Sequence, residues 1–477
     1  MERKIKEAIK QIVGPENFTE ALIDLVSYSS DSSEYQHRPE AAAWVQDSKQ
    51  VSAILELANK HKIPVTPRGA GTSLAGAAVP QRGGLVLDMS RMNRILKISI
   101  EDRLVIVEPG VVYDDLQRAL EPYGFFFPPD PASGAVCTLG GNVNTNAGGI
   151  KGAKYGVTKD YVLGLEVVLP NGRILHTGTK CMKTSSGYDL TKLFVGSEGT
   201  LGVITRITLK ISPKVPLVST AMATFETLRK AGRAVSEIMY SGIIPSALEI
   251  VDKQTLVAIN ENTALGLPEV EALLVVETEG HTKEEAEFQL LKIIEVFKKN
   301  GAATIRRANS REEADTLWIA RKTAYGVMAR INPNLFVEDL AVPISRVPDM
   351  LQAISDIAKK YNIKMPTVGH AGDGNLHPVI CFNASDADER KRVEEASTEL
   401  FEKVIEMGGT LTGEHGIGLA KAHLMGLEHD EVALDLMRAI KQLLDPNNIL
   451  NPGKMGLGCE ESASTDKGRN IALSGQV

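Results

Sequence analysis

Four segments rich in glycine and other small residues constrain this 477-residue chain more than any other feature. They are PRGAGTS (67–73), DPAS (130–133), TLGGNVNTNAGG (138–149) and GSEGTLGVIT (196–205). Stretches with so little apolar periodicity make poor helices, and most of their length reads as loop. Glycines let consecutive backbone amides turn toward a ligand, and such a turn is an anion nest suited to a pyrophosphate. Small residues also let a large flat cofactor approach the main chain, while Thr138, Asn144, Thr145 and Asn146 supply hydrogen bonds. The first loop is not the dinucleotide fingerprint, because Leu74 stands where the third glycine belongs, and no Walker-type Gly-Lys-Ser/Thr is present. Arg68 could serve phosphates or fold locally, and the sequence leaves that open.

Around these loops the chain alternates helix and strand signals. Ile5, Ile9 and Val13 lie four apart, with Gly14 to stop the helix. Asp47 with Gln50 forms a capping pair ahead of the apolar face Val51, Ile54, Leu55 and Ala58. Short β-branched runs at 63–66, 85–88 and 104–107 predict strands, and Pro170-Asn171-Gly172 predicts a hairpin between 165–169 and 173–176. A strand at 202–211 ends at Ser212-Pro213. Residues 213–216 read as a domain boundary. Beyond it, helices near 282–299, 310–330, 347–361 and 386–407 alternate with strands near 272–277, 303–307, 335–342 and 379–382. That is an α+β pattern with a sheet covered on one face. A helix at 430–444 follows. The expected division is 1–213, 214–425 and 426–457, with a disordered tail at 458–477.

The second half carries the chemistry. HAGDGNLH (370–377) holds two histidines around a glycine-rich turn, and GEHG (413–416) adds an adjacent acid and histidine. Imidazole nitrogen and carboxylate oxygen suit zinc, iron(II) or manganese. In a glycine-flanked turn Glu414 can face a metal and His415 a substrate, so three ligands leave open positions and a base remains. No His-Glu-x-x-His or Gly-x-Ser-x-Gly is present, which excludes a zinc-protease or nucleophile-elbow reading. Histidines 37, 61, 176, 281, 423 and 429 read as surface or packing residues.

Composition removes other classes. The balance of 53 basic and 60 acidic residues, 53 − 60 = −7, shows no basic block, so no nucleic-acid partner is expected. Cys137, Cys181, Cys381 and Cys459 form no Cys-x-x-Cys pair, which argues against an iron–sulfur cluster and for reduced cytosolic thiols. No signal peptide or membrane-length apolar run is seen, so the expected location is cytoplasmic, with any membrane contact peripheral.

In this order the glycine-rich motifs, with KYGVTKDYVLGLEVVLPNG between them, resemble the FAD-binding domain of vanillyl-alcohol-oxidase-type flavoproteins. HAGDGNLH, GEHGIG and DPNNILNPGK resemble the branch that holds D-lactate dehydrogenase, the D-type subunit of glycolate oxidase and D-2-hydroxyglutarate dehydrogenase. The resemblance covers roughly residues 38–455. It implies a two-subdomain FAD-binding domain and an α+β, ferredoxin-like substrate domain.

It further implies that Pro67, Arg68, Gly69, Ala70, Gly71, Thr72 and Ser73 wrap the FAD pyrophosphate. Pro131, Thr138, Gly141, Asn144, Thr145, Asn146, Gly148, Glu198, Gly199, Gly202 and Ile204 would hold adenosine and flavin, with Asn451 returning to the ring. Thr72 occupies the place of the flavin-linking histidine of covalent relatives, so noncovalent FAD is expected. The metal ligands implied are His370, His377 and Glu414, the base His415, and the grip on the substrate carboxylate Arg321. Val337 stands where the hydroxyglutarate branch has a lysine, which favours a monocarboxylate. The activity implied is oxidation of a D-2-hydroxy acid, D-lactate first, with glycolate or D-2-hydroxyglutarate as alternatives. Electrons would leave to an electron-transfer flavoprotein, a quinone or an iron–sulfur subunit, and a homodimer is left open. Two competing readings are a non-redox flavin transferase, like alkyl-dihydroxyacetone-phosphate synthase, and a catalytically silent electron-transfer subunit.

Overall fold

The computed structural model describes residues 1–458. Residues 459–477, which hold Cys459 and nearly all of the expected disordered tail, lie outside that range.

The first helix, α1 (Arg3–Val13), buries Ile5, Ile9 and Val13 as their spacing requires. It packs on a small sheet. Strands β1 (Ala41–Trp44), β2 (Val65–Arg68) and β3 (Leu85–Asp88) run parallel with β3 central, and α2 (Ser48–His61) connects β1 to β2. Asp47 caps α2 by accepting from the amides of Lys49 and Gln50, as the sequence predicts. The second strand starts two residues later than read and runs into Pro67-Arg68, so the first glycine loop leaves directly from a strand end.

A second sheet is wholly antiparallel. It comprises β4 (Ile95–Ser99), β5 (Leu104–Val107), β6 (Val162–Val168), β7 (Ile174–Gly178) and β8 (Val203–Lys210), in the order β4-β5-β8-β6-β7. Gly172 takes φ 78° in the β6–β7 hairpin turn. A helix in the glycine-rich stretch was not expected. Residues 130–156 read as aperiodic, yet α3 (Leu139–Thr145) forms there, with Thr138 as its N-cap and Asn146 closing it at φ 54°. Gly140 permits it, since a Cβ there would stand 2.5 Å from Pro109 Cβ.

Next come β9 (Leu217–Phe225), α4 (Leu228–Tyr240), β10 (Ala247–Asp252), α5 (Lys253–Asn262), β11 (Ala272–Gly280), α6 (Lys283–Lys299) and β12 (Thr304–Arg307). Their order β12-β9-β11-β10, all antiparallel, is the ferredoxin-like arrangement. The sheet continues beyond β10. After α7 (Arg311–Met328), β13 (Asn334–Val337) and α8 (Val347–Tyr361), strands β14 (Thr367–His370) and β15 (Asn375–Phe382) extend it as β10-β14-β15-β13. Helix α9 (Ala387–Glu406) follows.

The expectation of a sheet covered on one face is corrected. Alternate strand residues such as Ala221, Ile250, Val276 and Ile380 pack against α4, α6, α8 and α9. Their neighbours Met222, Val251, Val275 and Cys381 pack against α5 and α7. Both faces are buried, so the strands carry near-continuous apolar runs rather than alternation.

The last helix, α10 (Glu431–Leu444), leads back to the first sheet. Val65 N donates to Ile449 O and Asn451 N to Val65 O, at 2.7 and 2.8 Å. Among the described residues, Cys137, Cys181 and Cys381 are free thiols and no helix is long and apolar enough to cross a membrane.

Candidate active site

A cavity of about 490 Å³ runs from the glycine loops to the α5/α7 face of the large sheet. Residues 67–73, Pro131, Thr138, Gly141, Asn144, Thr145, Glu198, Gly199 and Ile204 line it, and so do Arg321, His370, His377, Glu414 and His415. Two distant groups of predicted residues therefore share one space.

Four predicted residues stand behind the wall. Asn146 caps α3 and accepts from Lys159 N at 2.8 Å. Gly148 backs Glu414, since a Cβ there would lie 2.7 Å from Oε2, and a Cβ on Gly202 would lie 2.4 Å from Val167. Asn451 Nδ2 donates to Ala77 O and Glu198 O, which ties two cavity loops together. Arg68 folds locally. Its guanidinium lies over Tyr28 and donates to Ala78 O, and a Cβ at Gly71 would meet it at 2.2 Å.

The glycine-loop end suits a flat, phosphate-bearing group. Gly69, Gly71, Gly140, Gly141 and Gly199 expose main chain along it. Asn142, passed over in the sequence, faces the cavity with a buried Nδ2 that has no partner. A buried donor without an acceptor is costly unless a ligand supplies one. Glu198 works differently from its neighbours. Its carboxylate accepts from Ile417 N and Gly418 N at 2.6 and 2.7 Å, and burial pushes its pKa up to about 7. It fastens the 196–205 loop to the turn that carries Glu414 and His415.

At the other end the sheet register assembles the histidines. His370 pairs with Glu249 across β10 and β14, and His377 lies opposite Val368 on β15, so the two rings are diagonal neighbours. The sequence reads HAGDGNLH as a bend that folds two rings together, but it is a hairpin, and register does the work. Its rings stand 5.1 Å apart between centroids. His370 Nε2 and His377 Nε2 lie 3.3 and 3.4 Å from the same Glu414 Oε1. One ligand atom from each of the three lies within 4.8 Å of the others.

Each imidazole has a carboxylate behind its other nitrogen. Glu249 Oε1 is 2.7 Å from His370 Nδ1, and Asp339 Oδ1 is 3.6 Å from His377 Nδ1, close but beyond a hydrogen bond. Carboxylates in that position orient metal-binding histidines. Burial opposes charge here, yet Glu249 and Glu414 raise His370 well above its usual range. The pocket thus favours positive charge at this spot, which a divalent cation also satisfies. A second triad, Asp339, His377 and His415, is equally compact. Its acid is engaged elsewhere: Asp339 Oδ2 accepts from Thr412 Oγ1, Glu414 N and His415 N, and Oδ1 from Asn375 Nδ2. The donor set that fits an ion is therefore His370, His377 and Glu414.

His415 stacks on His377 at 5.0 Å and 12°. Burial pushes its pKa down to about 4, against the pull of Asp339, and Nδ1 has no partner. A neutral imidazole can accept a proton. Arg321, on α7, donates from Nε to Glu249 Oε2 at 2.7 Å, and its terminal nitrogens have no protein partner among the described residues. Beside it, Tyr325, Met328, Val337, Val368 and Val379 give the pocket an apolar wall. Glu249 and Asp339 were missed in the sequence, where each is an acid in an ordinary strand context.

Fold and site together define an FAD-dependent oxidoreductase. Residues 39–178 match the FAD binding domain and residues 216–455 the family of FAD linked oxidases, C-terminal domain, and the chain belongs to that family. It is 45% identical to glycolate oxidase subunit GlcD of Bacillus subtilis (strain 168) over 455 residues, covering 95% of this chain and 97% of that one. It is 36% identical to D-lactate dehydrogenase [cytochrome], mitochondrial, of Arabidopsis thaliana, covering 87% and 73%. The D-lactate dehydrogenase of Anaerostipes hadrus is 35% identical, covering 88% and 90%. Among solved structures, p-cresol methylhydroxylase superposes with TM-score 0.79 at 20% identity, covering 95% and 96%. An alkyldihydroxyacetonephosphate synthase gives 0.73 at 18%, covering 95% and 85%. At those identities the likeness is one of fold, and it agrees with the vanillyl-alcohol-oxidase type expected from the motifs.

Proposed function

We propose that this chain oxidises a small D-2-hydroxy acid, D-lactate foremost, to its 2-keto acid, with noncovalent FAD and a divalent metal at His370, His377 and Glu414. The carrying observation is that one cavity joins the glycine loops to a cation-favouring triad, a neutral imidazole and a half-free guanidinium. The relatives' names support the substrate class, and residues 1–213 and 214–425 are read as cofactor and substrate domains.

Arg321 pairs its terminal nitrogens with the substrate carboxylate, a planar two-pronged contact. That grip directs the C2 hydroxyl toward His415, which accepts its proton. The C2 hydrogen leaves with its electron pair as the carbonyl forms, and the apolar wall of Met328, Val337 and Val379 keeps water from the reacting carbon. Bound FAD supplies the two-electron acceptor, and a bound divalent ion supplies Lewis acidity to the hydroxyl. Val337, an apolar residue beside the grip, favours a monocarboxylate over hydroxyglutarate. Electrons then pass outside the chain, to an electron-transfer flavoprotein, a quinone or an iron–sulfur subunit. We place the protein in the cytoplasm, peripheral to any membrane, with a homodimer as an allowed assembly.

The test is anaerobic mixing of stoichiometric enzyme with D-lactate, L-lactate, glycolate, D-2-hydroxybutyrate and D-2-hydroxyglutarate. Bleaching of the flavin band with D-lactate and not with L-lactate is expected. No bleaching by any of the five would overturn the reading.

A further inference from the structure

Glu249 belongs to no motif, yet it touches both arms of the site. Its side chain is fully buried in the middle of β10, between Ala247 and Val251 on the same face. Oε1 meets His370 Nδ1 and Oε2 accepts from Arg321 Nε, each at 2.7 Å. A buried carboxylate survives on a sheet face only when both oxygens are matched. Here the matching groups are one nitrogen of a proposed metal ligand and one nitrogen of the proposed substrate grip.

We infer that Glu249 is a positioning residue that couples the metal site to the substrate-binding arginine. Toward His370 it accepts a hydrogen bond from Nδ1–H, which fixes the tautomer and aims Nε2 at Glu414. Toward Arg321 it anchors Nε, fixes the plane of the guanidinium and leaves the terminal nitrogens facing the cavity. Because one carboxylate serves both, the arginine's draw on its charge reduces what reaches the imidazole. Arg321 is therefore felt at the metal through a residue it shares with His370. The inference rests on the function proposed above.

The experiment compares wild type, E249Q, R321Q and the double variant as FAD-loaded protein stripped of metal. Zn²⁺ affinity is read by competition with a chromophoric chelator, flavin absorbance controls for folding, and KM for D-lactate is measured in parallel. E249Q should keep its flavin, bind Zn²⁺ about 10–100-fold more weakly, and raise KM. R321Q should change Zn²⁺ affinity when Glu249 is present and leave it unchanged in the E249Q background. E249D, which keeps the charge, should recover part of the affinity, and it takes the place of E249Q should that variant lose its flavin. Wild-type Zn²⁺ affinity in E249Q, or an equal R321Q shift in both backgrounds, would overturn the coupling. Wild type that binds no divalent ion would instead remove the metal reading itself, and the inference with it.

Discussion

At the scale of single residues, His415 carries the sharpest prediction. It lies against His377, is held neutral by burial, and has a ring nitrogen without a partner. General-base assistance contributes roughly 10²–10⁴-fold. His415→Ala should lose about that much of kcat in dye-coupled turnover while keeping its flavin spectrum. A loss below tenfold would assign the proton to another group. The histidines and Glu414 that meet in the cavity were legible because they sit in short, glycine-flanked clusters. Glu249 and Asp339 were not. Each stands behind a histidine, Glu249 in hydrogen-bond contact and Asp339 just beyond it, but each lies far away in sequence, 121 residues from His370 for Glu249 and 38 from His377 for Asp339. An acid in ALEIVD or VEDL has no local mark of burial.

Elements show a different balance. The capped helix α2 and the Asn-Gly hairpin form where short-range signals demand them. Helix α3 forms against its composition, because LGGNVNT is poor in helix formers and tertiary packing rewards it: Leu139 and Val143 enter the core and Gly140 lies close on Pro109. Asp252 offers a test at this scale. It caps α5, accepting from Thr255 N and Oγ1, and burial raises its pKa to about 6. A carboxyl whose folded pKa is raised contributes stability below its unfolded pKa near 3.9. That contribution is lost as pH rises through about 6. Asn caps about as well as Asp but carries no charge. Asp252→Asn should therefore match wild type near pH 3.5 and exceed it by roughly 2–3 kcal/mol at pH 8, read from denaturant midpoints. A stability difference that does not change with pH would contradict this account.

Across the whole molecule, buried cations fasten distant segments. Lys441 Nζ donates to Thr200 O, Asp445 Oδ2 and Leu450 O at 2.8, 2.5 and 2.9 Å, tying α10 and the segment that follows it to the GSEG loop. Removing one partner of a buried ion pair costs about 3–5 kcal/mol. Lys441→Met should lower the melting temperature and release FAD on gel filtration, although Lys441 does not line the cavity. Retained flavin at an unchanged melting temperature would sink this reading.

By itself the sequence determined the class of cofactor and the histidine–carboxylate cluster that shares one cavity with the glycine loops, because glycine loops and histidine turns are local patterns with local physical causes. Tertiary structure alone decided that β10, β14 and β15 lie side by side in one register. Only that pairing sets Glu249 beside His370, brings Arg321 to the same carboxylate, and buries both faces of the large sheet. Contacts between strands more than a hundred residues apart depend on topology, and no window of sequence contains them.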